Sequence, residues 1–387
     1  MRNKKNLVYL SILFIALMFT ACDNPQFTFP TSLHATIEGM RTFCEALGGD
    51  PHFIGGGIEE AFGVDYDDLS CKNCHDADNP DAESCDKCHT DLVNYSDEIE
   101  NDTCLGCHSR QSKEAELEIT DIHNTIDEPK ENCMDCHSLK EMHGDVAGIL
   151  HPYQSMWDPG ARDTTCLSSD CHVESEITGE EYPSHERHIE NIDCSACHLK
   201  TVISCYNCHF DTFLDTGVKK NMGAKKDWVF LVNGENGKVR AASFQSLVYQ
   251  NESFIVFAPF HSHSVAPKGE SRACSECHDN EAIKELDAEG KIVVTEWDGE
   301  TLTHKEGVIP VVDNEVGELE FAHFNYESTS DTWTLLGTTT DNIQYGYCTP
   351  LTQDQINDLK IPMSSLKQYI IDNDLMDAET LEKLKIE

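Results

Sequence analysis

Cysteine and histidine recur in this chain in one arrangement: two cysteines separated by two residues, with a histidine directly after the second. Seven segments fit it, namely CKNCH (71–75), CDKCH (85–89), CLGCH (104–108), CMDCH (133–137), CSACH (194–198), CYNCH (205–209) and CSECH (274–278). An eighth, CLSSDCH (166–172), keeps the Cys-His adjacency but places four residues between its cysteines. The eight pairs use all but three of the 19 cysteines, leaving Cys22, Cys44 and Cys348. Any fold must accommodate seven such segments within about 140 residues, 71–209.

The spacing has a chemical reason. Two thiols add across the two vinyl groups of a haem, and the histidine after the second thiol is thereby held against the iron as an axial ligand. One such segment would also suit a zinc half-site, a disulfide or a thioredoxin-like motif. Recurrence, each time with its histidine, argues for eight covalently attached haem c groups. The attaching cysteines are Cys71, Cys74, Cys85, Cys88, Cys104, Cys107, Cys133, Cys136, Cys166, Cys171, Cys194, Cys197, Cys205, Cys208, Cys274 and Cys277. The proximal metal ligands are His75, His89, His108, His137, His172, His198, His209 and His278. In CLSSDCH the extra residues lengthen only the loop between the thioethers. A single thioether through Cys171, or a Cys166–Cys171 disulfide, are the competing readings. Cys44 and Cys348 either pair with each other or stay buried as thiols.

Eleven further histidines are candidates for the opposite face of each iron. His185 and His188 precede an attachment site, and at i,i+3 they share one helix face. His261 and His263 precede the last site, His123, His143 and His151 fall between sites, and His52 lies before the first. These eight are the distal candidates, with His34 in reserve. His304 and His323 lie in strand-like sequence and suit the role least.

The region 71–278 resembles the multihaem c-type cytochromes, specifically octahaem ones, and the stretched motif is similar to those of the small tetrahaem cytochromes. The resemblance implies electron transfer in the periplasm or at the cell surface. The same broad class includes octahaem reductases and oxidoreductases of small nitrogen or sulfur oxyanions. Their active sites often replace a proximal histidine by lysine, and every site here ends in histidine. A protomer of a conductive filament is the third reading.

The chain opens MRNKKNLVYLSILFIALMFTAC, three basic residues, an apolar run and then a cysteine. That order is expected of a leader over residues 1–21, with Cys22 as the lipid-bearing residue of an exported lipoprotein. The expected location is the periplasm, outer membrane or cell surface, with membrane contact only through the lipid. Formal charge is −42, which disfavours nucleic acid and suits redox partner proteins with basic docking surfaces. Lys219, Lys220, Lys225 and Lys226 form a local basic cluster, expected to be a solvated turn or a counterweight to carboxylates.

The fold expected is a mainly irregular, short-helix multihaem cytochrome c fold with a haem-dominated core, plus a β-rich segment and a short helical C-terminal tail. Residues 22–70 form an N-terminal segment with a helix over 32–46, and 71–210 a seven-haem region. Residues 211–350 form a β-rich region holding the eighth site. The tail, 351–387, carries helices near 351–359, 364–371 and 378–384.

Overall fold

The structure, a computed structural model, describes residues 28–69, 87–89, 99–126, 129–146, 152–168, 171–179, 182–338, 340 and 342–372. The leader, Cys22, the first motif (Cys71, Cys74, His75), Cys85, His151 and the expected helix over 378–384 lie outside them. The described residues fall into two compact units. One comprises those within Met1–Glu45, Asp65–Cys107 and Lys130–Thr165, the other those within Ala46–Val64, His108–Pro129 and Cys166–Glu387. No helix among the described residues is long and apolar enough to cross a membrane.

The first unit is built from short helices. Ser32 caps Leu33–Thr36, its hydroxyl accepting from the Ala35 N–H, and a second helix runs Glu38–Glu45. The single helix expected over 32–46 is broken at Ile37, whose φ is 55°. Later helices in this unit are Asn101–Leu105 and Leu139–His143.

The second unit is organised by a sheet. Its strands are β1 (Phe53–Ile54), β2 (Ser204–His209), β3 (Ala224–Lys225), β4 (Trp228–Gly234), β5 (Val239–Tyr249), β6 (Glu252–Pro259), β7 (Lys291–Val293), β8 (Thr295–Trp297), β9 (Leu302–His304), β10 (Gly307–Pro310), β11 (Glu318–Glu320), β12 (His323–Glu327), β13 (Thr332–Gly337), β14 (Asn342–Gly346) and β15 (Cys348–Thr349). Nine of them form one mixed sheet. The meander β4-β5-β6 follows from NGENGK and NES, turn-forming stretches between β-branched and aromatic runs. Long β5 pairs with β6 along one edge. Along the other edge its first half meets β4 and its second half meets β2, in parallel. Strands β10 and β14 add in parallel to β4 and β6.

This sheet overturns the expected haem-dominated, mainly short-helix fold. The second unit has a side-chain core of its own, with Trp228, Phe230, Phe244, Phe257 and Phe321 all buried. Their rings interlock, Trp228–Phe230 at 5.0 Å and Phe244–Phe321 at 5.4 Å. Burying one such ring contributes about 1.5–3 kcal/mol, so the core needs no porphyrin to close it. The motif-dense segment also supplies core residues: Val202, Ile203, Tyr206 and Phe210 are buried there. Strand β2 is itself the CYNCH motif. The helical tail is present as Gln353–Leu359 and Met363–Asp372. Cys44 and Cys348 are each a buried thiol.

Candidate haem-ligating histidine pairs

Three motifs show how the five-residue pattern folds locally. CSACH is a single helical turn, Cys194–His198, capped by Asp193, whose carboxylate accepts from the Ser195 N–H at 3.0 Å. CSECH is likewise helical, Cys274–His278, with Glu276 reaching back to the Ala273 N–H at 2.8 Å. CMDCH opens with a 3₁₀ turn, Cys133–Asp135, whose Asn132 and Asp135 cap each other. In a helical turn, residues i, i+3 and i+4 share one face. Both thiols and the imidazole therefore leave on the same side, as a thioether-bound, histidine-ligated haem requires.

Facing four motif histidines stands a second imidazole. His89 and His143 have ring centroids 6.1 Å apart, His123 and His172 6.4 Å, His185 and His198 6.0 Å, and His188 and His278 6.3 Å. Each pair joins one proximal residue to one of the distal candidates. Two metal–nitrogen bonds of about 2 Å each, plus the two ring radii, add up to roughly 6 Å between centroids. These spacings fit an iron between the rings. His34 lies close enough to His137 that, after burial, their mutual repulsion helps hold its pKa down.

Neighbouring groups orient the rings. His123 Nδ1 lies 2.7 Å from Asp121 Oδ1, and His137 Nδ1 2.6 Å from Glu141 Oε2. His185 Nδ1 lies 2.5 Å from Ile177 O, and His188 Nδ1 2.9 Å from Ser184 O. The two carbonyls can only accept, so in both rings Nδ1 carries the proton and the Nε2 lone pair is left for a metal. Asp121 and Glu141, as carboxylates, hold their rings the same way. Burial works against the Glu141 charge, yet bonds from His137 and the Thr164 N–H hold its carboxyl well below the usual range. His263 and His52 are prepared alike, with Nδ1 3.0 Å from Glu114 Oε2 and 2.6 Å from Glu235 Oε1. His261 differs, since its Nε2 faces Arg240 Nη2 at 3.3 Å and Asp193 Oδ1 at 3.6 Å. The sequence marks these orienting groups only weakly, as a carboxylate two residues before His123 and another four after His137.

The stretched motif closes on itself. The His172 N–H donates to Cys166 O at 3.2 Å, and Leu167 bridges to His172. The longer loop thus returns the chain to where His172 meets His123.

CYNCH is different. As β2 it alternates sides, and a bulge between Cys205 and Cys208, with Asn207 at φ 52°, shifts the alternation by one. Tyr206 Oη donates to Ala322 O, Asn207 Nδ2 donates to Phe324 O, and His209 Nε2 lies 2.7 Å from Asn325 Oδ1. Those three side chains are buried toward β12, whereas Cys205 and Cys208 are half-exposed. Thiols and imidazole leave on opposite sides, and the nitrogen a metal would need is engaged by an amide. The residues of this motif, so arranged, do not fit a haem held by Cys205, Cys208 and His209 together.

His304 Nε2 donates to the Lys226 carbonyl at 2.8 Å. His323 is buried against Tyr206, and burial pulls its pKa down to about 4. In the basic cluster, Lys220 pairs with Asp331 at 3.2 Å and Lys226 donates to Leu117 O at 3.3 Å. No known protein family matches the chain, and neither a curated protein nor a solved structure does.

Proposed function

We propose that the protein is an exported, lipid-anchored multihaem c-type cytochrome that carries electrons between redox partners in the periplasm or at the cell surface. The observation that supports this best is the set of four imidazole pairs, each matching a motif histidine to a remote one at a spacing suited to a metal between them. Bound haem supplies one-electron chemistry at such sites. The chain's own part is to saturate the metal from both sides, to hold His123, His185, His188 and His278 through Nδ1, and to leave no position for a substrate. Saturated ligation favours a carrier over an enzyme. The net negative charge favours the more positive, oxidised form of each site and hence low potentials. It also favours basic partner surfaces.

Mass spectrometry of the mature protein combined with EPR of its oxidised form tests the proposal. The expected result is covalently bound haem giving low-spin signals at the paired sites, with a lipid on Cys22. A chain without haem would overturn it. A high-spin signal that shifts on adding nitrite, hydroxylamine or sulfite would replace the carrier with a reductase.

A further inference from the structure

We infer that in the second unit electrons pass from the fifth site (166–172) to the sixth (194–198) and from there directly to the eighth (274–278), bypassing the seventh (205–209). This rests on the haem reading above and concerns order in space rather than order along the chain, in which the seventh site would come between.

Two elements tie the sixth and eighth sites together. The helix Pro183–His188 sends His185 to His198 and His188 to His278. Residues three apart on a helix are neighbours, with Cβ atoms about 5–6 Å apart, so one helix face supplies the opposite ligand to both sites. The second tie is Arg272, whose side chain is 6% exposed. Its Nε donates to Ala196 O at 3.0 Å and its Nη2 to Leu199 O at 2.7 Å, both at the end of the sixth-site helix. Its Nη1 meets Glu276 Oε2 at 2.9 Å, inside the eighth-site helix. The Arg272 N–H also donates to Cys197 O at 3.0 Å. A buried guanidinium with both motif helices as partners is a clamp: it fixes two segments that lie far apart in sequence.

The fifth and sixth sites meet through Val265 and Ala266. Beside the fifth site's His123, the Val265 N–H donates to Asp121 Oδ2 at 2.9 Å and the Ile122 N–H donates to Val265 O at 3.0 Å. One residue on, the Ala266 N–H donates to His198 O of the sixth site at 2.8 Å. The seventh site shares none of these ties: β2 runs beside β5, with His209 turned to Asn325. The transfer implied is of single electrons, one site oxidised as the next is reduced, with no bond made or broken.

Redox titration of the haem-loaded, full-length chain tests the order. His185→Met and His188→Met each give one site a thioether ligand, which raises its potential and sets it apart in the titration. Between neighbouring sites, reducing one disfavours reducing the other. The double variant is therefore expected to titrate as a split wave displaced from the sum of the single variants. His123→Met combined with His188→Met, which marks the fifth and eighth sites, is expected to lie closer to that sum. Additive behaviour of the first pair, or stronger coupling in the second, overturns the inference. Should the variants not fold, iron positions from anomalous scattering of wild-type crystals decide it: the sixth iron between the fifth and eighth supports the order, and the seventh between the sixth and eighth overturns it. A chain without haem overturns the functional proposal too, whereas haem-loaded protein with additive titrations overturns this inference alone.

Discussion

CSACH and CYNCH are the same five-residue pattern with only six residues between them, yet one is a helical turn and the other a sheet strand. The difference lies in the residues between the cysteines and in what waits nearby. Ser195 and Ala196 are small, and the Asp193 cap starts a helix whose Ser195 Oγ accepts from the Ala241 N–H of β5. Tyr206 is large, favours strands, and is fully buried with its hydroxyl between Thr295 and Ala322. Beside it β5 offers an open edge for pairing. A short motif encodes its chemistry in residue identity, but its geometry follows from whichever backbone partner is at hand.

The largest effect that should separate the two motifs is spectroscopic. His198→Asn is expected to convert one low-spin haem into a high-spin one, because it removes half of an imidazole pair. His209→Asn is expected to leave the low-spin signals unchanged and cost about 1–3 kcal/mol of stability through the buried bonds to Thr212 and Asn325. A new high-spin signal in the His209 variant would show that β2 leaves the sheet to ligate.

Next in size is Tyr206→Ala, which should destabilise the second unit by about 3–5 kcal/mol in denaturant unfolding, the cost of deleting a buried aromatic ring. Little loss there would mean that the strand form of CYNCH is not what the core depends on.

The layer behind β2 should also set acid sensitivity. His323 stacks on Tyr206, and its pKa is lowered from 6.5 to about 4 by burial. A histidine kept neutral in the fold while the unfolded chain protonates gives stability that is complete above pH ~6.5 and is lost as the pH falls toward ~4, up to about 3 kcal/mol. His323→Gln should flatten that loss, seen by comparing urea unfolding near neutral and near pH ~4.5. An unchanged acid slope would place the sensitivity elsewhere.

Smallest is the cap of the helical motif. Asp193→Ala removes the acceptor for the Ser195 N–H and should cost about 1 kcal/mol, with a further loss because Arg240 and His261 face the same carboxylate. Peptide mapping across 166–172 completes the set. Haem on both Cys166 and Cys171 is expected, since His172 already faces His123; a free Cys166 would leave a single thioether.

Much of the candidate site was legible in the sequence because covalent haem attachment demands fixed residue types at fixed spacing. That demand singles out His89, His172, His198 and His278 as candidate ligands, and the structure sets a remote histidine beside each. The meander was legible as well, since alternating β-branched and aromatic runs broken by turn residues have few other solutions. Pairing was not. Which histidine faces which motif, and that Arg272 clamps two motifs, depend on contacts between residues far apart along the chain. The same holds for the mixed sheet, where β2, β10 and β14 add in parallel to strands distant in sequence. The sequence by itself determined what chemistry this protein can hold, because that is written in residue identity and local spacing. Only the tertiary structure decided where each ring points and which motif joins the sheet, because backbone pairing and burial are won by partners no local pattern names.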